Sequence, residues 1–255
     1  MQSAYNKKHR IFLLDEIRGF SILCMVVYHG VYNLLTFFPI SFPFFYSPLV
    51  IFLRDLFAGM FILISGVSCR FSRNNPKRGL LCLLFGMVMT AGSLLFVPEL
   101  PIYFGILHFL GCAILLFALL QKALDHLSIA VMLPILCVLF ALSWNFPHRS
   151  LGFFSYPIIP LSESWYRSPY LFPIGLKNDF FYSADYFPII PWIFLFLAGT
   201  YLGVPLKRGS FPVFFYQLHS RFLSFVGRHT LWIYLLHQPL LFGGMWLVNC
   251  IITNS

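Results

Sequence analysis

Charge is what this sequence has least of. Only 10% of its 255 residues are Asp, Glu, Lys or Arg, and just eight are acidic. A soluble domain carries about 25% charged and about 45–50% apolar residues, whereas 59% of this chain is hydrophobic. So few charges do not cover the surface of a globule of this length, which excludes a soluble protein. A disordered tail is excluded as well, because such segments are poor in apolar residues. The 17 basic residues leave a net charge of +9 and a pI of about 9.4. They are too thinly spread through apolar sequence for a nucleic-acid binder, and an excess of Lys and Arg in loops is usual in membrane proteins. With a mean hydropathy of +0.82, the bilayer is the natural solvent for the chain.

Paired cysteines are also missing. Cys24, Cys69, Cys82, Cys112, Cys137 and Cys250 are scattered along apolar stretches with no CxxC pair, and none lies in the longest loop. That argues against a disulfide framework and a zinc site, and leaves small packing residues. There is no internal repeat, low-complexity tract or soluble domain, so one membrane-embedded domain spanning 1–255 is expected.

What is present are apolar runs of the length a bilayer demands, about 20 residues each. Seven spans are expected: Ile17–Phe38, Leu49–Cys69, Gly79–Val97, Ile102–Gln121, Leu127–Trp144, Phe187–Val204 and His229–Ile252. The first follows Lys7, Lys8 and Arg10 like a signal peptide. Its apolar run is too long and no small-residue cleavage site follows, so it reads as an uncleaved helix. Thirteen of the 17 basic residues fall in alternate connections: Lys7, Lys8, Arg10 and Arg18; Arg70, Arg73, Lys77 and Arg78; Lys122; and Lys207, Arg208, Arg221 and Arg228. Positive-inside bias therefore predicts a cytoplasmic N-terminus and a C-terminus outside. The fold class expected is an all-α integral membrane protein, a polytopic bundle of about seven transmembrane helices. One long outer loop, Asn145–Tyr186, is rich in proline and aromatics and reads as a wrapped surface segment, either an acceptor-binding lid or an interfacial anchor. The stretch Phe211–Phe225, with Gln217, His219 and Arg221 among aromatics, reads as an interfacial helix.

Polar groups inside spans mark functional sites by default. Arg18 and His29 share one face of the first helix, close to three turns and roughly 16 Å apart along its axis. Tyr32 and Asn33 extend that polar stripe. A mid-membrane histidine can accept or give a proton near neutral pH, or it can be a packing residue bonded to a neighbouring helix. His108 lies in the fourth span between Gly105 and Gly111. His237 shares a face of the last span with Tyr234 and Thr230, just before Gln238 and Pro239. No two of these histidines have the spacing of a helical metal pair, and no metal is expected. Asp55, beside Arg54, can orient a histidine, bind a substrate amine or neutralise Arg54. Asp185 can cap the sixth helix ahead of Pro188. Asp15 and Glu16, just before Arg18, read as caps of the first helix that pair with basic neighbours.

Five segments carry a resemblance in order along the chain. They are LLDEIRGFSILCMVVYHG (13–30), DLFAGMFILISGVS (55–68), FGILHFLGCAILL (104–116), DYFPIIPW (185–192) and GRHTLWIYLLHQP (227–239). The opening helix resembles that of the transmembrane acyltransferase superfamily. More narrowly, the chain resembles the heparan-α-glucosaminide N-acetyltransferase catalytic-domain family, including its bacterial members, over nearly all its length except the long outer loop. The resemblance implies a multi-pass enzyme, in a bacterial cytoplasmic membrane, that moves an acetyl group from cytoplasmic acetyl-CoA to an amine or hydroxyl of an extracytoplasmic glycan or amino sugar.

On that implication, His29 is the general base, with Asp55, His108 and Tyr32 as further catalytic candidates; His108 or Tyr32 would donate to the oxyanion. Arg18, Arg70, Arg73 and Arg228 would hold the donor's phosphates, with His237 and Tyr234 also on the donor. Asn33, Asp185 and Trp192 fall to the acceptor. Gly66, Ser65 and Ser68 would leave room for the pantetheine arm. The chain departs from the lysosomal members, which have Asn at the position of His29 and a histidine in the following segment, here FFPISFPFFYSP (37–48). Direct transfer and an acetyl-histidine intermediate both fit, and homo-oligomerisation stays open. The bilayer is the other partner expected, and no nucleic acid. A proton-coupled transporter and a non-catalytic membrane scaffold are the rival readings.

Overall fold

A computed structural model describes residues 10–154 and 156–253. Lys7 and Lys8, half of the N-terminal basic group, lie outside the described residues. Among the described residues, seven helical elements are long and apolar enough to cross a membrane. They are α1 (Phe12–Phe37), α2 (Pro48–Cys69), α3 (Asn75–Phe96), α4 (Ile106–Asp125), α5 (Ile129–Leu142, extended by a 3-10 turn at Phe146–His148), α6 (Ile189–Lys207) and α8 (Thr230–Thr253). Between the last two lies a short helix, α7 (Arg221–Arg228). The chain is thus an all-α polytopic membrane protein, with all seven expected spans present and their ends shifted by a few residues. α3 starts earlier than expected because Asn74 caps it, accepting a hydrogen bond from Lys77 N at 2.9 Å, with proline in its first turn.

The chain folds as two compact units. The first comprises the described residues up to Phe61 together with those from Gly209 onward. In it α1 packs against α7 and α8. The α1–α7 contact is made by backbone: Gly19 faces the backbone of Leu223 and Gly227, and Gly227 faces that of Asp15, so a Cβ at either position would collide. Phe211–Phe225 is not the single helix expected. A 3-10 turn at Val213–Tyr216 precedes α7, and the chain breaks between them. The reason is Glu16, buried on α1, whose Oε1 accepts from His219 N at 2.7 Å and Ser220 N at 3.0 Å. Ser220 in turn caps α7 by accepting from Leu223 N. Glu16 therefore holds the start of α7 and does not cap its own helix. Asp15 pairs with Arg10 and Arg18.

The second unit spans Ile62–Arg208. The last two turns of α2 lie against α6 with backbones touching, since Gly66 faces the carbonyl of Phe196 and Gly199 that of Leu63. Small residues at such crossings let membrane helices pack where lipid offers no hydrophobic drive. The space left by Gly66 is filled by α6, so it is not the opening for a pantetheine arm expected from sequence. Ser68 bonds the carbonyl of Ile64 in its own helix. α4 packs on α3, and α5 on α6 around Leu136, Ala198 and Tyr201. Tyr201 ties this core to the end of α4 by donating to Leu124 O at 2.9 Å.

The long α5–α6 connection is more ordered than a wrapped loop. It holds an antiparallel hairpin, β1 (Ser150–Phe153) with β2 (Tyr156–Pro160), and 3-10 turns at Glu163–Tyr166 and Phe172–Ile174. Tyr166 and Tyr186 donate to the carbonyls of Phe146 and Phe172, and Phe172 stacks on Phe181 at 4.5 Å. Beneath the hairpin, Phe140, Trp144, Phe154 and Trp192 form one aromatic cluster.

Candidate functional site

The first unit gathers most of the polar groups expected from sequence. His29 of α1 and His237 of α8 face one another with ring centroids 5.3 Å apart. His237 is buried, and its Nδ1 lies 2.6 Å from the carbonyl of Tyr234. A carbonyl only accepts, so Nδ1 carries the proton and the neutral ring keeps its lone pair on Nε2. Tyr234 is buried, its ring 5.4 Å from that of His237. One turn beyond His29, Asn33 is buried and donates from Nδ2 to Gln238 Oε1 at 2.9 Å. α1 and α8 are therefore joined by a histidine pair and an amide pair, and Tyr32, next to Asn33 in the chain, is half-buried.

α2 brings Arg54 and Asp55 to the same unit. Both Nε and Nη2 of Arg54 lie 2.8 Å from Asp55 Oδ1, so Asp55 neutralises its neighbour. Arg54 is within electrostatic range of His29 and Tyr28. Tyr28 stacks on Phe45 at 4.9 Å. At the other end of α1, the half-buried Arg18 pairs with Asp15 at 3.6 Å. Arg228 is exposed and donates from Nε to Ser224 O.

The remaining candidates lie in the second unit. Arg70 is buried, with Nε on Thr200 O at 2.9 Å, Nη1 on Asp125 and its guanidinium 4.9 Å from the centre of the Phe117 ring. Only its Nη2 lacks a partner among the described residues. Arg73 is exposed. His108 is buried against Gly86, and Phe104 stacks on it at 5.7 Å. Its Nε2 lies 3.3 Å from Thr90 Oγ1, whose own proton goes to Ile102 O at 2.6 Å. Thr90 is thus the acceptor and His108 Nε2 the donor, so Nδ1 offers a lone pair and no proton. In this tautomer His108 has no free N–H for an oxyanion.

Asp185 does not cap the sixth helix. The segment 183–187 runs beside residues 101–104, through Ala184 N to Pro101 O and Phe187 N to Phe104 O. This carries the buried Asp185 carboxylate to the start of α4, where Oδ2 accepts from Ile106 N at 3.2 Å. Trp192 is buried in the aromatic cluster under the hairpin, with Trp144 at 5.4 Å and Phe187 at 5.3 Å. Among the described residues no group of three or more His, Cys, Asp or Glu is gathered to hold a metal.

A family profile described as heparan-alpha-glucosaminide N-acetyltransferase, catalytic, matches residues 10–239. The chain belongs to that family. Membership makes it a membrane acetyltransferase in general terms, and the matched stretch runs from ahead of Arg18 to just past His237. No curated protein and no solved structure matches the chain significantly. Within the family region, sequence reasoning passed over Gln238 as a partner and Glu16 as the latch of α7. Both carried a signal, because a polar side chain in an apolar helix needs a partner. It likewise left Arg54 as a mere counter-charge, although an arginine inside a span is itself a candidate.

Proposed function

We propose that the protein transfers an acetyl group from acetyl-CoA, taken from the cytoplasmic side, to an amine or hydroxyl of a glycan or amino sugar across the membrane. The reading also places it in a bacterial cytoplasmic membrane, as its resemblance to bacterial members suggests. The observation that carries it is the facing pair His29 and His237 on two helices of the family region. Acyl transfer to an amine or hydroxyl needs a base that is neutral near pH 7, and imidazole suits that task.

His29 takes the proton from the acceptor as its nitrogen or oxygen attacks the thioester carbonyl. The new C–N or C–O bond forms, the C–S bond breaks, and the departing CoA thiolate receives the proton held by His29. His237, oriented by the Tyr234 carbonyl, presents Nε2 as a positioning and relay partner for His29, a role we prefer to donor binding. We assign the oxyanion to Tyr32, one turn beyond His29 on α1, in place of His108, whose N–H is committed to Thr90. Asp55, steadied by Arg54, and Asn33, steadied by Gln238, orient the acceptor. Asp185 and Trp192 act by shaping the ordered connection. In the first unit the donor's phosphates fall to Arg18 and Arg228; in the second, the cations open to an anion are Arg73 and the Nη2 of Arg70, which has no partner among the described residues.

The test is acetyl transfer from labelled acetyl-CoA to a panel of amino sugars and envelope glycans, with purified protein in liposomes. His29→Ala should insert normally and lose transfer. Wild-type rates in that variant overturn the assignment, and flux driven by a pH gradient without CoA favours the transporter.

A further inference from the structure

The hairpin of the α5–α6 connection presents an apolar surface to which the proposed transfer assigns no residue. Residues 150–162, SLGFFSYPIIPLS, contain no charged side chain; Arg149 and Glu163 bound the run. Every residue of β2 is exposed. Phe153 is 45% exposed, Tyr156 77%, Ile158 62% and Ile159 56%. A two-stranded hairpin is marginal in water, and a contiguous exposed apolar patch marks a surface that something covers.

The hairpin is continuous with the exposed apolar face of α5, a helix long and apolar enough to cross a membrane. Phe154 at its tip, held at a positive φ of 45°, packs on Phe140 of α5 at 6.4 Å and on Trp144 at 5.5 Å. Val131, Ile135 and Val138 of the same helix are exposed along a span with few neighbours. Trp144 and Trp192, packed together beneath the hairpin, are the residue type that gathers where acyl chains meet headgroups.

We propose that the hairpin lies in the interfacial layer of the bilayer, in the leaflet on the side of the α5–α6 connection. Phe153, Tyr156, Ile158 and Ile159 rest on acyl chains there, so the connection is fastened to lipid at its first third. The remainder, from Glu163 to Tyr186, keeps its charges and its internal tyrosine bonds to water and protein.

The experiment places the photocrosslinker p-benzoylphenylalanine, in separate variants, at Ile158, at Ile159, at Val138, exposed in the middle of the α5 span, and at the exposed, charged position Glu163. The full chain is reconstituted in vesicles of radiolabelled phosphatidylcholine and irradiated. The expected result is lipid adduct at Ile158 and Ile159 equal to that at Val138 and several-fold above that at Glu163. Adduct no higher than at Glu163 overturns the proposal. A crosslink to a second copy in place of lipid overturns it too, and makes the hairpin a contact between protomers. Both hairpin sites are exposed, so each variant tests the placement without disturbing a buried contact.

Discussion

Replacing Glu16 by Ala should loosen α7 while leaving the spans in place. The carboxylate is buried and holds two backbone N–H groups at 2.7 and 3.0 Å, with the His219 ring 3.2 Å from its other oxygen. Hydrogen bonds to a charged group contribute about 1.5–3 kcal/mol each. The two backbone bonds together are therefore worth about 3 kcal/mol at the least. With each 1.4 kcal/mol a factor of ten, the α7 amides should exchange hydrogen about a hundredfold faster in Glu16→Ala. Glu16→Gln keeps a carbonyl for the same two N–H groups and loses only the charge, so about a tenfold effect is expected. The assay is hydrogen–deuterium exchange on the reconstituted protein, reading residues 221–228, with Glu163→Ala as the control. Unchanged exchange in Glu16→Ala would refute the reasoning, because the start of α7 would then be held by something other than this carboxylate.

Three further outcomes are expected. His29→Ala should lower acetyl transfer by about a hundred- to ten-thousand-fold, the range for removing a general base, and His237→Gln should lower kcat with the KM for acetyl-CoA unchanged. A raised KM at unchanged kcat would return His237 to donor binding. Gly199→Ala forces a methyl into the Leu63 carbonyl and should destabilise by about 1–3 kcal/mol, read as a lower thermal midpoint, whereas Gly243→Ala, with open space around it, should not. Burial raises the Tyr186 phenol above its ordinary 10.0, so above that pH the unfolded chain loses this proton while the folded chain keeps it. Stability should therefore fall as pH rises past 10, and the fall should be smaller in Tyr186→Phe; an identical alkaline profile in that variant would refute the link.

The class of the protein and its spans were legible in the residues alone. A bilayer accepts only helices and closed barrels, and continuous apolar runs of about 20 residues fit the helix and not the short alternating strands of a barrel. The family segments were legible for a related reason: Arg18, His29, His108 and His237 stand out where polar side chains are rare. Partners were not legible. Asp185 read as the cap of the helix that follows it, yet it caps α4, 79 positions back. Glu16 read as a local cap and holds a segment 203 residues away. His108 read as a donor, and only its bond to Thr90 shows that its N–H is taken.

Periodicity says which residues share a face of a helix, and so the sequence by itself determined a seven-span membrane protein with polar stripes on α1 and α8. It does not say which helix that face meets. That depends on where small residues such as Gly19, Gly66 and Gly199 let backbones approach, which sets the rotation and closeness of each pair. Only the tertiary structure decided that His29 faces His237, that Asn33 bonds Gln238, and that Arg70 is held by Thr200 and Asp125 inside the protein.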